Sequence, residues 1–150
     1  AYIINVIDPM IDYIVRHYAN KTIGLIGTKR TVQSGVYVQK IKESNCNITL
    51  HSLATPLLAP MIEEGFFNNQ ISHEIIAQYL SDPMLANLDA LVLACTHYPL
   101  IKKEINEFYK SKIDILDSAE VVAKALRDYL VSTQLINQHG HPVQHFYVSD

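Results

Sequence analysis

The sequence predicts an α/β domain built on a mainly parallel sheet, and three observations carry that prediction. Ala90 to Ala94 is an apolar run with no polar face, the pattern of a strand buried on both sides of a parallel sheet. Thr22-Ile-Gly-Leu-Ile-Gly27 is a second core strand. Each run is followed at once by polar residues and then by apolar residues at helical spacing, the alternation that parallel crossovers require. At 150 residues the chain is about one domain by length, enough to bury roughly 70% of its unfolded surface in a full core.

Taken in order, Tyr2-Ile-Ile-Asn-Val-Ile7 is apolar and reads as an opening strand. Asp8-Pro9 then reads as an N-cap with proline in the first helical turn, and the helix runs to about Tyr18 with Ile11, Ile14, Val15 and Tyr18 on one face. Asn20 stops it. After the strand at 22–27, Gly27-Thr28-Lys-Arg-Thr31 turns the chain into a helix carrying Val32, Val36, Tyr37, Val38 and Ile41. That helix N-terminus offers unpaired N–H groups beside two hydroxyls, a place suited to a carboxylate. The structural alternative is that Thr31 is an N-cap and Thr28 a turn residue.

Ser44-Asn-Cys-Asn47 is a polar turn before an alternating strand, Ile48 to Leu53. Ala54 to Pro60 reads as a proline-punctuated loop leading to Met61-Ile-Glu63-Glu64-Gly65, and adjacent glutamates are more often a solvated surface than a site. A helix within Asn68–Leu80, with Ile71, Ile75, Ile76 and Tyr79 apolar, is broken by Ser81-Asp-Pro83. His73 and Glu74 have no metal-ligand spacing.

Where the strand at 90–94 ends, Cys95, Thr96 and His97 arrive together, and Pro99 opens a helix with Leu100, Ile101, Ile105 and Phe108 apolar. Ligands of open α/β sheets bind outside the carboxyl ends of the strands, so a thiol, a hydroxyl and an imidazole stand at the functional edge. A thiol beside an imidazole at a helix N-terminus ionises more readily than a free one. A lone cysteine after a buried strand is nevertheless more often a small core residue. Lys112 to Leu116 reads as a further strand, with Asp117-Ser118 capping the next helix, Glu120 completing a capping box, and the helix running to about Leu130. In the tail, His139, His141 and His145 lack a Cys or carboxylate partner and read as solvated rather than as a metal site, and His145 to Val148 reads as a last strand.

Composition excludes several classes. With 49% hydrophobic and 18% charged residues and a net charge of −3, the chain is an ordinary globular composition without a basic stripe, so nucleic acid is not an expected partner. No apolar run approaches the roughly 18 residues of a membrane span, and the first residues lack a signal-peptide pattern, so no membrane partner and a cytoplasmic location are expected. Cys46 precedes a strand and Cys95 follows one, which puts them at opposite poles of a parallel sheet, out of disulfide reach and free.

Four segments in register carry a resemblance. Cys95-Thr-His-Tyr-Pro-Leu100 resembles the C-T-H-Y-P-L segment that marks the second half of glutamate racemases. Gly24-Leu-Ile-Gly-Thr28-Lys-Arg-Thr31-Val-Gln-Ser34-Gly35-Val-Tyr37 is similar to the family's V-I-G-T-x-A-T-x-x-S-G-A-Y, Pro60-Met-Ile-Glu63-Glu-Gly65 to its P-L-V-E-x-G, and Ile115-Leu-Asp117-Ser118 to its I-D-S. The likeness runs from about Asn5 to the end and implies the aspartate/glutamate racemase superfamily. It implies a Rossmann-like three-layer domain, one of the two similar domains of the racemase fold. Residues 1–117 would form the second α/β domain, and 118–150 a helix and strand returning toward a first domain upstream.

The resemblance implies that Cys95 is one of two thiols that exchange the α-proton of glutamate, with His97 as its proton partner. It matches Glu63 to an acidic residue that holds the imidazole's tautomer, and Thr28, Thr31 and Thr96 to positions that grip the substrate. It implies no cofactor and no metal, and a small-molecule amino acid, glutamate, as partner; a homodimer is left open. Arg30 departs from the family's small residue and adds charge near the turn. The family's first thiol, in an A-C-N-T-A-like segment, and its D-S-G motif have no counterpart here, so the chain alone is expected to be inactive. A related racemase acting on aspartate or a hydantoin, and a non-catalytic binding module, remain as rivals.

Overall fold

The computed structural model describes residues 3–137, 140, 143 and 145–147. Four strands, β1 (Thr22–Gly27), β2 (Thr49–Ala54), β3 (Ala90–Ala94) and β4 (Asp114–Asp117), form one sheet in the order β2-β1-β3-β4. Every pairing is parallel, with Gly27 opposite both Ala54 and Ala94 at the carboxyl end. Among the described residues seven helices connect and cover them: α1 (Asp8–His17), α2 (Lys29–Gln33), α3 (Val36–Glu43), α4 (Leu58–Glu63), α5 (Gln70–Leu80), α6 (Lys102–Phe108) and α7 (Ser118–Ser132). Short 3₁₀ turns at Pro83–Leu85 and Tyr98–Ile101 flank β3.

Strand side chains alternate between two cores because successive Cβ atoms point to opposite faces. Ile26, Leu91 and Leu93 join Leu58, Met61 and Ile62 of α4, Ile76 and Leu80 of α5, and Ile105 of α6. Ile23, Leu25, Ala90 and Val92 join Met10, Ile11 and Ile14 of α1 and Tyr37 and Ile41 of α3. Three layers result, as expected. Gly24 sits where β1 crosses the first core: a Cβ there would lie 2.5 Å from Leu88 Cδ1 and 2.8 Å from Leu91 Cδ1, so only glycine fits without repacking.

Several local readings are corrected. No strand forms over residues 3–7, because the Asn5 side chain takes the backbone N–H groups of Ile7 and Asp8 at 2.9 and 2.8 Å. Asn5, not Asp8, therefore occupies the donors at the start of α1, while Asp8 pairs with Lys40 at 2.8 Å. The single helix expected after Gly27 is two, α2 and α3, broken at Gly35, whose φ of 64° a side-chain-bearing residue rarely adopts. The loop expected from Ala54 to Pro60 is shorter: β2 extends to Ala54 and α4 begins at Leu58, with Pro60 in its first turn, where a missing N–H costs no hydrogen bond.

After β3 the helix opens as a 3₁₀ turn, whose tighter winding places Tyr98, Ile101 and Ile105 inside and leaves Leu100 58% exposed. Asp117 caps α7 through Ala119 N–H at 2.8 Å, but Glu120 pairs with Lys102 at 2.8 Å instead of completing a capping box. The box that forms is at α5, between Asn69 and Ser72. None of the residues of α7 is buried, although it packs on β3, β4 and α1. His145, Phe146 and Tyr147 form no strand; Val148, His139 and His141 lie outside the described residues.

Candidate active site

In the order β2-β1-β3-β4 the chain leaves β1 toward one edge of the sheet and β3 toward the other. The carboxyl ends of β1 and β3 therefore flank the crevice in which open α/β sheets bind ligands. A cavity of about 710 Å³ opens there. Its polar wall is Thr28, Thr31, Tyr37, Glu63, Cys95, Thr96, His97 and Ser118, and its apolar wall includes Val6, Ile7, Ala59, Pro99, Val122 and Ala123.

The structure thus brings all six residues singled out from sequence to one cavity, from three separate segments of the chain. Thr28 directly follows β1 and caps α2, its Oγ1 accepting the Thr31 N–H at 3.2 Å. Thr28 and not Thr31 is the N-cap. The two hydroxyls lie 3.0 Å apart, which leaves lone pairs and one hydrogen free for a ligand. Gly27 lies close against this turn: a Cβ there would stand 3.3 Å from the Ala94 carbonyl, a tight contact, and 3.4 Å from the Thr31 side chain, an ordinary one.

Across the crevice, Cys95 Sγ lies 3.7 Å from His97 Nδ1, and His97 Nε2 lies 3.1 Å from Glu63 Oε1. The thiol, imidazole and carboxylate form a line that reaches from inside the cavity to its rim, where the His97 and Glu63 side chains are 38% and 57% exposed. Such a line can pass a proton between sulfur and Nδ1 while the carboxylate orients the ring and stabilises its charged form. The last turn of α4 delivers Glu63, so the acid adjacent to the surface Glu64 is selected by helix position rather than by local sequence.

Two polar residues of the cavity were not singled out from sequence. Ser118 follows β4 and donates to the Leu93 carbonyl at 2.9 Å; its position at a strand end, like Thr28 and Cys95, was the available signal. Tyr37 is 5% exposed, and burial pushes its phenol up, partly countered by a hydrogen bond with Ser118. Arg30 is exposed and does not line the cavity, so the departure at this position leaves the wall unchanged. Among the described residues no group of three His, Cys, Asp or Glu side chains is placed to hold a metal ion, and no helix is long and apolar enough to cross a membrane.

Fold and cavity together define a class: an α/β domain whose switch-point cavity gathers a thiol, an imidazole and a carboxylate opposite a pair of hydroxyls. The chain belongs to the Asp/Glu/Hydantoin racemase family, whose model matches residues 3–126. It is 36% identical over 128 residues to the glutamate racemase of Aquifex aeolicus, a match covering 85% of this chain and 49% of that protein. It is 38% identical over 149 residues to the glutamate racemase of Chlorobium phaeobacteroides, covering 99% and 55%. The crystal structure of the Francisella tularensis glutamate racemase in complex with D-glutamate superimposes with a TM-score of 0.80 at 32% identity, over 93% of this chain and 51% of that one. The chain spans about half the length of these relatives.

Proposed function

We propose that the protein bearing this chain interconverts L- and D-glutamate without a cofactor, and that residues 1–117 are its second α/β domain, with 118–150 returning toward the first. The observation that carries the reading is the Cys95–His97–Glu63 line facing the Thr28–Thr31 hydroxyls across one cavity. Glutamate's carboxylate accepts a hydrogen bond from the one hydroxyl hydrogen that the Thr28–Thr31 pair leaves free, and Thr96 contributes a second polar contact. The Cys95 thiolate removes the α-proton, or its thiol returns one, while His97 relays protons to and from the sulfur and Glu63 stabilises the imidazolium. Reprotonation from the opposite face needs a second thiol, which the other half of the protein supplies.

In this reading the chain alone is inactive, the enzyme is cytoplasmic, and the D-glutamate it makes serves peptidoglycan synthesis. Incubation of the full-length protein with glutamate in deuterium oxide is expected to place deuterium at the α-carbon and to racemise either enantiomer. Cys95→Ser is expected to lower turnover by about a thousandfold, removing most of what a positioned acid–base group contributes. Unchanged turnover in that variant rejects the role given to Cys95. Because the family spans three substrate classes, aspartate and a hydantoin go through the same assay; faster exchange on either replaces glutamate as the substrate.

A further inference from the structure

The residues of this site stand beyond the reach of the sheet's ladder. Strand pairing ends at Gly27 opposite Ala54 and Ala94, one residue short of Thr28, Thr55 and Cys95. Something else must hold the threonine pair at its distance from the thiol. One fully buried residue is linked to every carrier, to the threonine turn through a single partner. Tyr98 is 0% exposed, its backbone N–H donates to the Cys95 carbonyl at 3.2 Å, and its ring packs in the cluster that holds Leu58, Met61 and Ile62 of α4, the helix ending in Glu63. Its hydroxyl lies 2.7 Å from Thr55 Oγ1 and 3.1 Å from the Thr55 carbonyl. Thr55, also 0% exposed, is bound in turn to the Gly27 carbonyl, through its N–H at 2.9 Å and its hydroxyl at 3.3 Å. Gly27 directly precedes Thr28.

We propose that Tyr98 is a positioning residue: its buried hydroxyl, clasped to Thr55, fixes the Cys95–His97 turn relative to Thr28–Thr31. The kinetic consequence rests on the racemase reading; the clasp itself does not. Both polar partners are desolvated, so the hydrogen bonds have no water to exchange with and hold their geometry. A neighbouring hydroxyl-free variant keeps the ring and the packing but releases the loops.

The test uses the full-length protein with Tyr98→Phe, Thr55→Ala and Thr55→Ser. Tyr98→Phe and Thr55→Ala are expected to lower kcat about tenfold or more while KM changes little, since a small misplacement acts on the transition state. They are also expected to slow alkylation of Cys95 by iodoacetamide, read on its peptide by mass spectrometry. Thr55→Ser keeps the hydroxyl and is expected to restore both. A lowered Tm with kcat and alkylation unchanged overturns the proposal and leaves Tyr98 a packing residue. If the unaltered protein racemises no substrate, the racemase reading fails, and the alkylation rates alone decide the clasp. If Tyr98→Phe does not fold, the Thr55→Ala and Thr55→Ser pair decides it.

Discussion

Glu63 and Tyr109 mark two ways in which one polar group meets its surroundings. Glu63 reaches His97 at 3.1 Å from a half-exposed position, so its pairing adds little to stability and its effect falls on the imidazole. Glu63→Gln keeps a hydrogen-bond acceptor and removes the charge; it is expected to lower kcat/KM about tenfold with an unchanged Tm, checked by kinetics and thermal denaturation. Tyr109 is the opposite case. Its hydroxyl is buried and, among the described residues, has no hydrogen-bond partner, and burial pushes the phenol up to about 12. Tyr109→Phe is expected to raise stability by about 1 kcal/mol in urea denaturation, because an unsatisfied buried group is removed without changing the ring's packing. Cys95, His97 and Thr28 stand out in the sequence as polar residues at strand ends, but a core thiol and a turn residue explain Cys95 and Thr28 locally as well, and it was the family resemblance that gathered them into one site. Ser118 did not stand out, since its neighbour Asp117 offered a sufficient explanation as a cap.

At the scale of elements, the strands were the most legible. β1 and β3 lie where their uninterrupted apolar runs put them, since a strand covered on both faces needs nothing but apolar side chains. Gly24 adds a condition that periodicity does not contain. Gly24→Ala is expected to cost about 1–3 kcal/mol in equilibrium unfolding, because its Cβ would push into Leu88 and Leu91. Helix boundaries were less legible. The break between α2 and α3 depends on Gly35 taking a left-handed conformation, and Ser34 Oγ bonding the Thr31 carbonyl at 2.7 Å helps to end α2. The apolar stripe of α7 predicts a covered helix, yet none of its residues is buried in this chain. An amphipathic pattern states that a face is to be covered and not by what.

For the whole molecule, four tyrosines act together at alkaline pH, Tyr37 of the cavity and three from other parts of the fold. Burial pushes Tyr18 upward, reinforced by its 2.8 Å hydrogen bond to Asp114, and pushes Tyr98 and Tyr109 up to about 12. In the unfolded chain these phenols ionise near pH ~10, while the folded protein still holds their protons. The folded state therefore binds more protons, and stability must fall as pH rises. The contribution is fully present below about pH 10 and lost as pH passes about 12, so urea midpoints are expected to drop across that window. A flat profile there contradicts the burial of these rings.

By itself the sequence determined the class of fold, the two central strands and the polar residues at their ends, because burial on both faces and the turn from strand to helix each demand particular residues locally. Only the tertiary structure decided which strand ends are neighbours. The order β2-β1-β3-β4 sets Thr28 beside Cys95, α4 carries Glu63 to His97, and the buried Tyr98–Thr55 pair ties those loops together. Contacts between residues tens of positions apart arise from how layers pack, and no local pattern of side chains encodes them.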